Sequence, residues 1–170
     1  NMDKNKKFFI LFGMIVIVIA LGPIFYYLVT NGSDKEFVVR DKDSFTSQQD
    51  VLDYFEQYKQ AQNKDTYGGK TPEETLGLFI DALKKGDTTL ASKYFVLDKQ
   101  DEMKDSLKQG IESGGANRLM DYYLNGNIEK TYNDLLNTHR FRILKEKDQP
   151  GFIINFALNK PTKLWKIESL

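Results

Sequence analysis

The chain has 170 residues, with 24 basic and 24 acidic side chains, one histidine, one tryptophan and no cysteine. A neutral balance leaves no electrostatic footprint for DNA or RNA, so nucleic-acid binding is excluded as a first reading. The missing cysteines exclude disulfides, thiolate zinc sites, a cysteine nucleophile and a lipid-modified cysteine.

Asn1 precedes Met2 and is read as a vector remnant. From Phe8 to Val29 no residue is charged, and only Gly13, Gly22 and Pro23 are not hydrophobic. As a helix this stretch reaches about 33 Å, enough to cross a hydrocarbon core of about 30 Å. Its Leu, Ile, Val and Phe residues favour insertion by about 6 kcal/mol in all. Tyr26 and Tyr27 fall where an aromatic belt belongs. A cleaved signal peptide would have a shorter apolar region and a small-x-small site, whereas bulky Phe25, Tyr26 and Tyr27 stand here. The expectation is an uncleaved transmembrane helix over 8–29 behind a leader at 1–7. Lys4, Lys6 and Lys7 precede the span, and Asp34, Lys35 and Glu36 follow it. The positive-inside rule then places the N-terminus in the cytoplasm and the rest outside it. Asn31-Gly32-Ser33 matches a glycosylation sequon but reads as a turn beside the membrane.

Residues 30–67 read as a tether carrying a membrane-proximal helix. Ser47 and Asp50 resemble a capping pair. Val51, Tyr54, Phe55 and Tyr58 form an apolar stripe, which either docks on the following domain or serves a partner or self-association. Gly68-Gly69 breaks the helix, and the domain boundary is placed near residue 68.

Gly69-Lys70-Thr71 resembles the tail of a phosphate-binding loop, but Lys64 stands where that motif needs its first glycine. Thr71-Pro72-Glu73-Glu74 is better explained as a helix start: cap, first-turn proline and capping-box acid. Leu76, Phe79, Ile80 and Leu83 then make one apolar face, and Gly86 suits the C-terminal cap. Asp87 caps a short helix with Leu90, Ala91, Tyr94 and Phe95 inward. Asp98 is the expected cap of a third helix, with Met103, Leu107 and Ile111 as a narrow stripe, ended by Gly114-Gly115. Ala116–Leu124 is predicted helical. Residues 126–137, with Ile128, Tyr132, Leu135 and Leu136, fit a helix better than a strand.

The period then changes to 2. His139, Phe141 and Ile143 alternate with Arg140 and Arg142; Phe152, Ile154, Phe156 and Leu158 follow; Trp165 and Ile167 close the chain. Turns are marked at 148–151 and 159–162. The expected fold is α+β: helices packed on a curved antiparallel sheet of at least three strands, over residues 68–170.

TPEETLGLFIDALKKGDTTLASKYF, with a meander closing on LWKIESL, resembles the nuclear-transport-factor-2-like superfamily of α+β cone folds, in its bacterial extracytoplasmic form. The superfamily hosts isomerases, dehydratases, binding domains and secretion-machine subunits. The inner-membrane assembly subunit of type IV secretion systems shares the plan of one span and one such domain. The resemblance implies a cone cavity, for which Phe79, Tyr94, Tyr123, Tyr132, His139, Phe141, Phe156 and Trp165 are the lining candidates. His139 with a tyrosine would be its proton-transfer set if it were an isomerase. The family's isomerase needs a paired acid and tyrosine in its pocket, and no residues of this chain are matched to them. No catalytic residue, metal site or cofactor is assigned. The expected function is a membrane-anchored, non-catalytic interaction or scaffold module of the cell envelope; the alternatives are a ligand-binding or sensory domain using the cavity, or an isomerase-like enzyme.

Overall fold

The computed structural model describes residues 37–133, 138–145 and 151–170, and Phe37–Leu170 form one compact unit. Among the described residues no helix is long and apolar enough to cross a membrane; Phe8–Val29 lies outside them.

Helix α1 spans Gln48–Lys64, α2 Pro72–Lys84, α3 Thr88–Lys93, α4 Gln100–Glu112 and α5 Gly115–Asn125. Four strands follow: β1 Asn127–Asn133, β2 Thr138–Leu144, β3 Phe152–Asn159 and β4 Leu164–Ser169. They form an antiparallel meander in sequence order.

The caps explain where the helices begin. Ser47 Oγ accepts from Asp50 N, Thr71 Oγ1 from Glu74 N, and Asp87 Oδ1 from Leu90 N. Each satisfies one of the amide donors left open in a first turn. In the first two helices the acid three residues on reaches one residue further back than a capping box requires. Asp50 accepts from Thr46 N and Glu74 from Lys70 N, so each ties down the approach to the helix. Gly86 and Gly114, at φ +69° and +78°, end α2 and α4 in the left-handed conformation that a glycine adopts without strain.

Leu76, Phe79, Ile80 and Leu83 of α2 are buried, as are Ala91, Tyr94 and Phe95 behind α3. They meet Phe141 and Ile143 of β2, Ile154 and Phe156 of β3, and Ile167 of β4 in one core. The sheet's other face carries Arg140, Arg142 and Asn155. The outer edge of β4 is covered: Trp165 N donates to Gly69 O, Ile167 N to Tyr94 O, and Val96 N to Ile167 O. This turns two loops into partial fifth strands and seals an edge that would otherwise present open donors.

Two expectations are corrected. Residues 127–133 form β1, not a helix. Ile128 and Tyr132 are four apart, a spacing that suits either a helix face or one face of a strand. α5 ends at Gly126, whose backbone is extended, and pairing with β2 from Asn127↔Leu144 to Asn133↔Thr138 makes the segment a strand. Leu135 and Leu136 lie outside the described residues. Asp98 does not cap the third long helix; it sits within a 3-10 turn at Leu97–Lys99, and α4 begins at Gln100 without a side-chain cap. Gln100 instead turns inward, its Nε2 donating to Phe95 O at 3.1 Å and Lys93 O at 3.3 Å. The sheet has four strands, which meets the expectation of at least three.

Candidate functional site

The eight aromatic and histidine candidates do not converge on one cavity. Phe79, Phe141 and Phe156 are fully buried, with Phe141 and Phe156 rings 4.9 Å apart and Phe79 edge-on to Phe95 at 5.6 Å. Side chains fill the space where these three would line a ligand site. Tyr94 is buried at the margin of that core, edge-on to Tyr67 at 6.4 Å, and burial raises its phenol pKa. Tyr123, half-buried on α5, packs against the core with Tyr122.

The other three make a row on the sheet. The His139 ring lies between Tyr132, at 4.5 Å and edge-on, and Trp165, at 4.2 Å. Register explains the Tyr132 side, since His139 is directly opposite Tyr132 on β1; Trp165 is paired with Leu158, two residues along β3 from Phe156, the partner of His139. His139 Nδ1 is buried and has no hydrogen-bond partner among the described residues. A general base is oriented by a carboxylate or carbonyl on its second nitrogen, and this arrangement does not supply one at Nδ1. Among the described residues no three His, Asp or Glu side chains are grouped to hold a metal ion.

The α1 stripe is split. Phe37 lies 5.2 Å from Tyr54 and 5.3 Å from Tyr58, and Phe45 lies 5.2 Å from Tyr54. The preceding segment thus covers the two tyrosines, and Val51 is half-buried. Arg40 fastens that segment to the helix: its guanidinium binds Asp50 through two contacts of 2.6 and 3.0 Å and stacks over Phe45 at 4.7 Å. That pairing, with the Thr46 amide, holds the Asp50 carboxyl down at about 2. Phe55 stays 61% exposed and Leu52 52% exposed, and α1 buries no residue completely.

The most unusual polar group is one the periodicity hid. Lys166 alternates with Trp165 and Ile167, which puts it on the sheet face expected to be solvated. It is nevertheless only 2% exposed. Its ammonium donates to Tyr67 O at 2.9 Å and Lys93 O at 2.6 Å, and faces Asp65 Oδ2 at 2.7 Å. The Asp65 approach is that of an ion pair rather than of an aligned hydrogen bond. Burial pushes the Lys166 pKa down, and the Asp65 charge opposes that shift. Nearby, Asn159 Nδ2 donates to Gln62 O at 3.0 Å. These contacts anchor the end of α1 and its following loop to β3 and β4. Chain positions about a hundred residues apart meet here, so no local signal reveals the pair.

No family model matches this chain, and comparison with curated proteins and with solved structures likewise gives no match.

Proposed function

We propose that the chain is a membrane-anchored interaction or scaffold module of the cell envelope, held by Phe8–Val29 with residues 30–170 extracytoplasmic, and that it is not an enzyme. The observation that carries this reading is the uncharged 22-residue stretch behind a lysine-rich leader. The filled interior of the α+β unit supports the non-catalytic part, because Phe79, Phe141 and Phe156 occupy the space a substrate would need. It weighs against the cavity-based sensory and isomerase alternatives. The order of helices before an antiparallel meander supports the nuclear-transport-factor-2-like resemblance. Leu52 and Phe55, exposed on α1, are the partner-facing residues of this reading.

Protease added to spheroplasts tests the topology: the C-terminal unit should be digested without lysis, and full protection until lysis overturns the orientation. In-cell crosslinking of the full chain, read by mass spectrometry, tests the interaction. A reproducible set of envelope proteins is expected, reduced when Leu52 and Phe55 are changed to Ser. Recovery of none sinks the interaction reading.

A further inference from the structure

A recess of about 390 Å³ lies on the outer face of the sheet, the face turned away from the aromatic core. That volume is near the lower end of about 300–1,000 Å³ for ligand pockets, which suits a small molecule. Thr131 of β1, Thr138 and Arg140 of β2, Asn155 of β3 and Glu168 of β4 border it. The register brings them side by side. Thr131, Arg140, Asn155 and Ser169 are successive cross-strand partners and form one polar row over the four strands. Thr138 is two residues from Arg140 and shares its face. On β4 the register shifts: Phe156 faces Ile167 but Asn155 faces Ser169, which leaves Glu168 as an extra residue. Such a bulge re-aims side chains, and here Glu168 and Ser169 both turn to the outer face.

Arg140 is fixed from behind. Its Nε donates to Asn155 Oδ1 at 2.8 Å, and Asn155 Nδ2 donates to Ser169 Oγ at 2.7 Å. The two Nη atoms carry the remaining donors of the guanidinium and have no partner among the described residues. The other arginines are engaged differently. Arg40 and Arg142 face carboxylates at 2.6 and 3.7 Å, and Arg118 lies over the Phe152 ring at 5.9 Å. Glu168 is exposed on the same recess, and among the described residues no ion pair joins it to Arg140. The backbones of β2 and β4 are two strand spacings apart, about 10 Å. Two opposite charges thus stand across a small gap, each open to a third group. A guanidinium already held at Nε presents its Nη pair to a carboxylate as a fork and loses less freedom on binding than an unheld side chain. A simple anion would meet Glu168 as a like charge, and a simple cation would meet Arg140.

We propose that this recess binds a small zwitterion, a free amino acid, with its carboxylate on the Nη pair of Arg140 and its ammonium on Glu168. The Thr138 hydroxyl offers a further donor beside Arg140. The site lies on the face opposite the filled interior, and every residue in it belongs to the compact unit Phe37–Leu170. It therefore depends neither on a cone cavity nor on the membrane anchor.

The test is NMR on the ¹⁵N-labelled full chain in detergent micelles, read at the Arg140 Nε–H and the Asn155 side-chain amide. The chain is titrated with glycine and γ-aminobutyrate as short and long zwitterions, and with butyrate and butylamine as controls of a single charge. Saturable shifts are expected with at least one zwitterion, at concentrations well below those needed for either control. Arg140→Lys keeps the charge but loses the fork, and should weaken zwitterion binding about five- to tenfold. Glu168→Gln should weaken it about two- to fivefold and leave the butyrate response no weaker. Both positions are exposed, so both variants keep the fold. No saturable shift with either zwitterion, an equal response to butyrate or butylamine, or an affinity unmoved by either substitution each overturns the proposal.

Discussion

Lys166 shows how far one residue's role departs from its place in a pattern. A solvated lysine on a strand face is interchangeable with many polar residues, whereas one buried against Asp65 is not. Lys166→Met should destabilise the protein by about 3–5 kcal/mol, because Asp65 is left as an uncompensated buried charge. Combining it with Asp65→Leu should recover part of that loss, and urea denaturation of the single and double variants measures both. No stability gained by the double variant over the single would refute the pairing. The Arg40–Asp50 pair makes a different prediction, since both groups lie at the surface. The folded Asp50 carboxyl titrates at about 2 against an ordinary value of 3.8. A depressed carboxylate pKa contributes stability above the unfolded value and loses it as pH falls. The contribution of this pair is therefore complete above about pH 4 and fades towards pH 2. Side-chain carbonyl NMR should give the low midpoint, and Arg40→Gln should move it back towards 3.8; an unchanged midpoint would refute the assignment.

Among the elements, α2 was the most legible. Its cap, first-turn proline, apolar face and closing glycine agree at every level, and Thr71, Pro72 and Gly86 sit as the pattern requires. Thr71→Ala should cost about 1 kcal/mol by loss of the cap, read as a shift in the denaturation midpoint with the slope unchanged. Gly69 was readable as a breaker but not as a contact point. A methyl there would lie 2.6 Å from Glu74 Cβ and from the Thr75 amide, while Gly69 N donates to Thr75 Oγ1 and Gly69 O accepts from Trp165 N. Gly69→Ala should therefore cost about 1–3 kcal/mol through forced displacement. β1 was misread because Ile128 and Tyr132 satisfy both periods. Only the ladder to β2 decides between them, and that ladder joins residues up to 17 apart.

For the whole molecule, stability is unevenly distributed. The α2 face and strands β2, β3 and β4 share the buried aromatic core, whereas α1 buries no residue completely and is held at its end by Asn159 and through the Asp65–Lys166 contact. Elements with few buried contacts open first. Amides of α1 should exchange with solvent well before those of β2 and β3, and Phe79→Ala should cost about 3–5 kcal/mol while Phe55→Ser stays within about 0.5 kcal/mol. Equal protection of α1 and β3 would refute this ordering. The sequence by itself determined what is local: the uncharged stretch at 8–29, the helix caps, the apolar face of α2 and the period-2 alternation of the last strands. Each follows from neighbours a few residues apart. Tertiary structure alone decided what depends on distant partners. It filled the expected cavity with Phe79, Phe141 and Phe156 and placed His139 between Tyr132 and Trp165. It also covered Tyr54 and Tyr58 with Phe37 and Phe45, and buried Lys166 on a face that alternation assigns to water. Periodicity reports which side of an element a residue occupies; burial depends on what else in the chain comes to lie on that side.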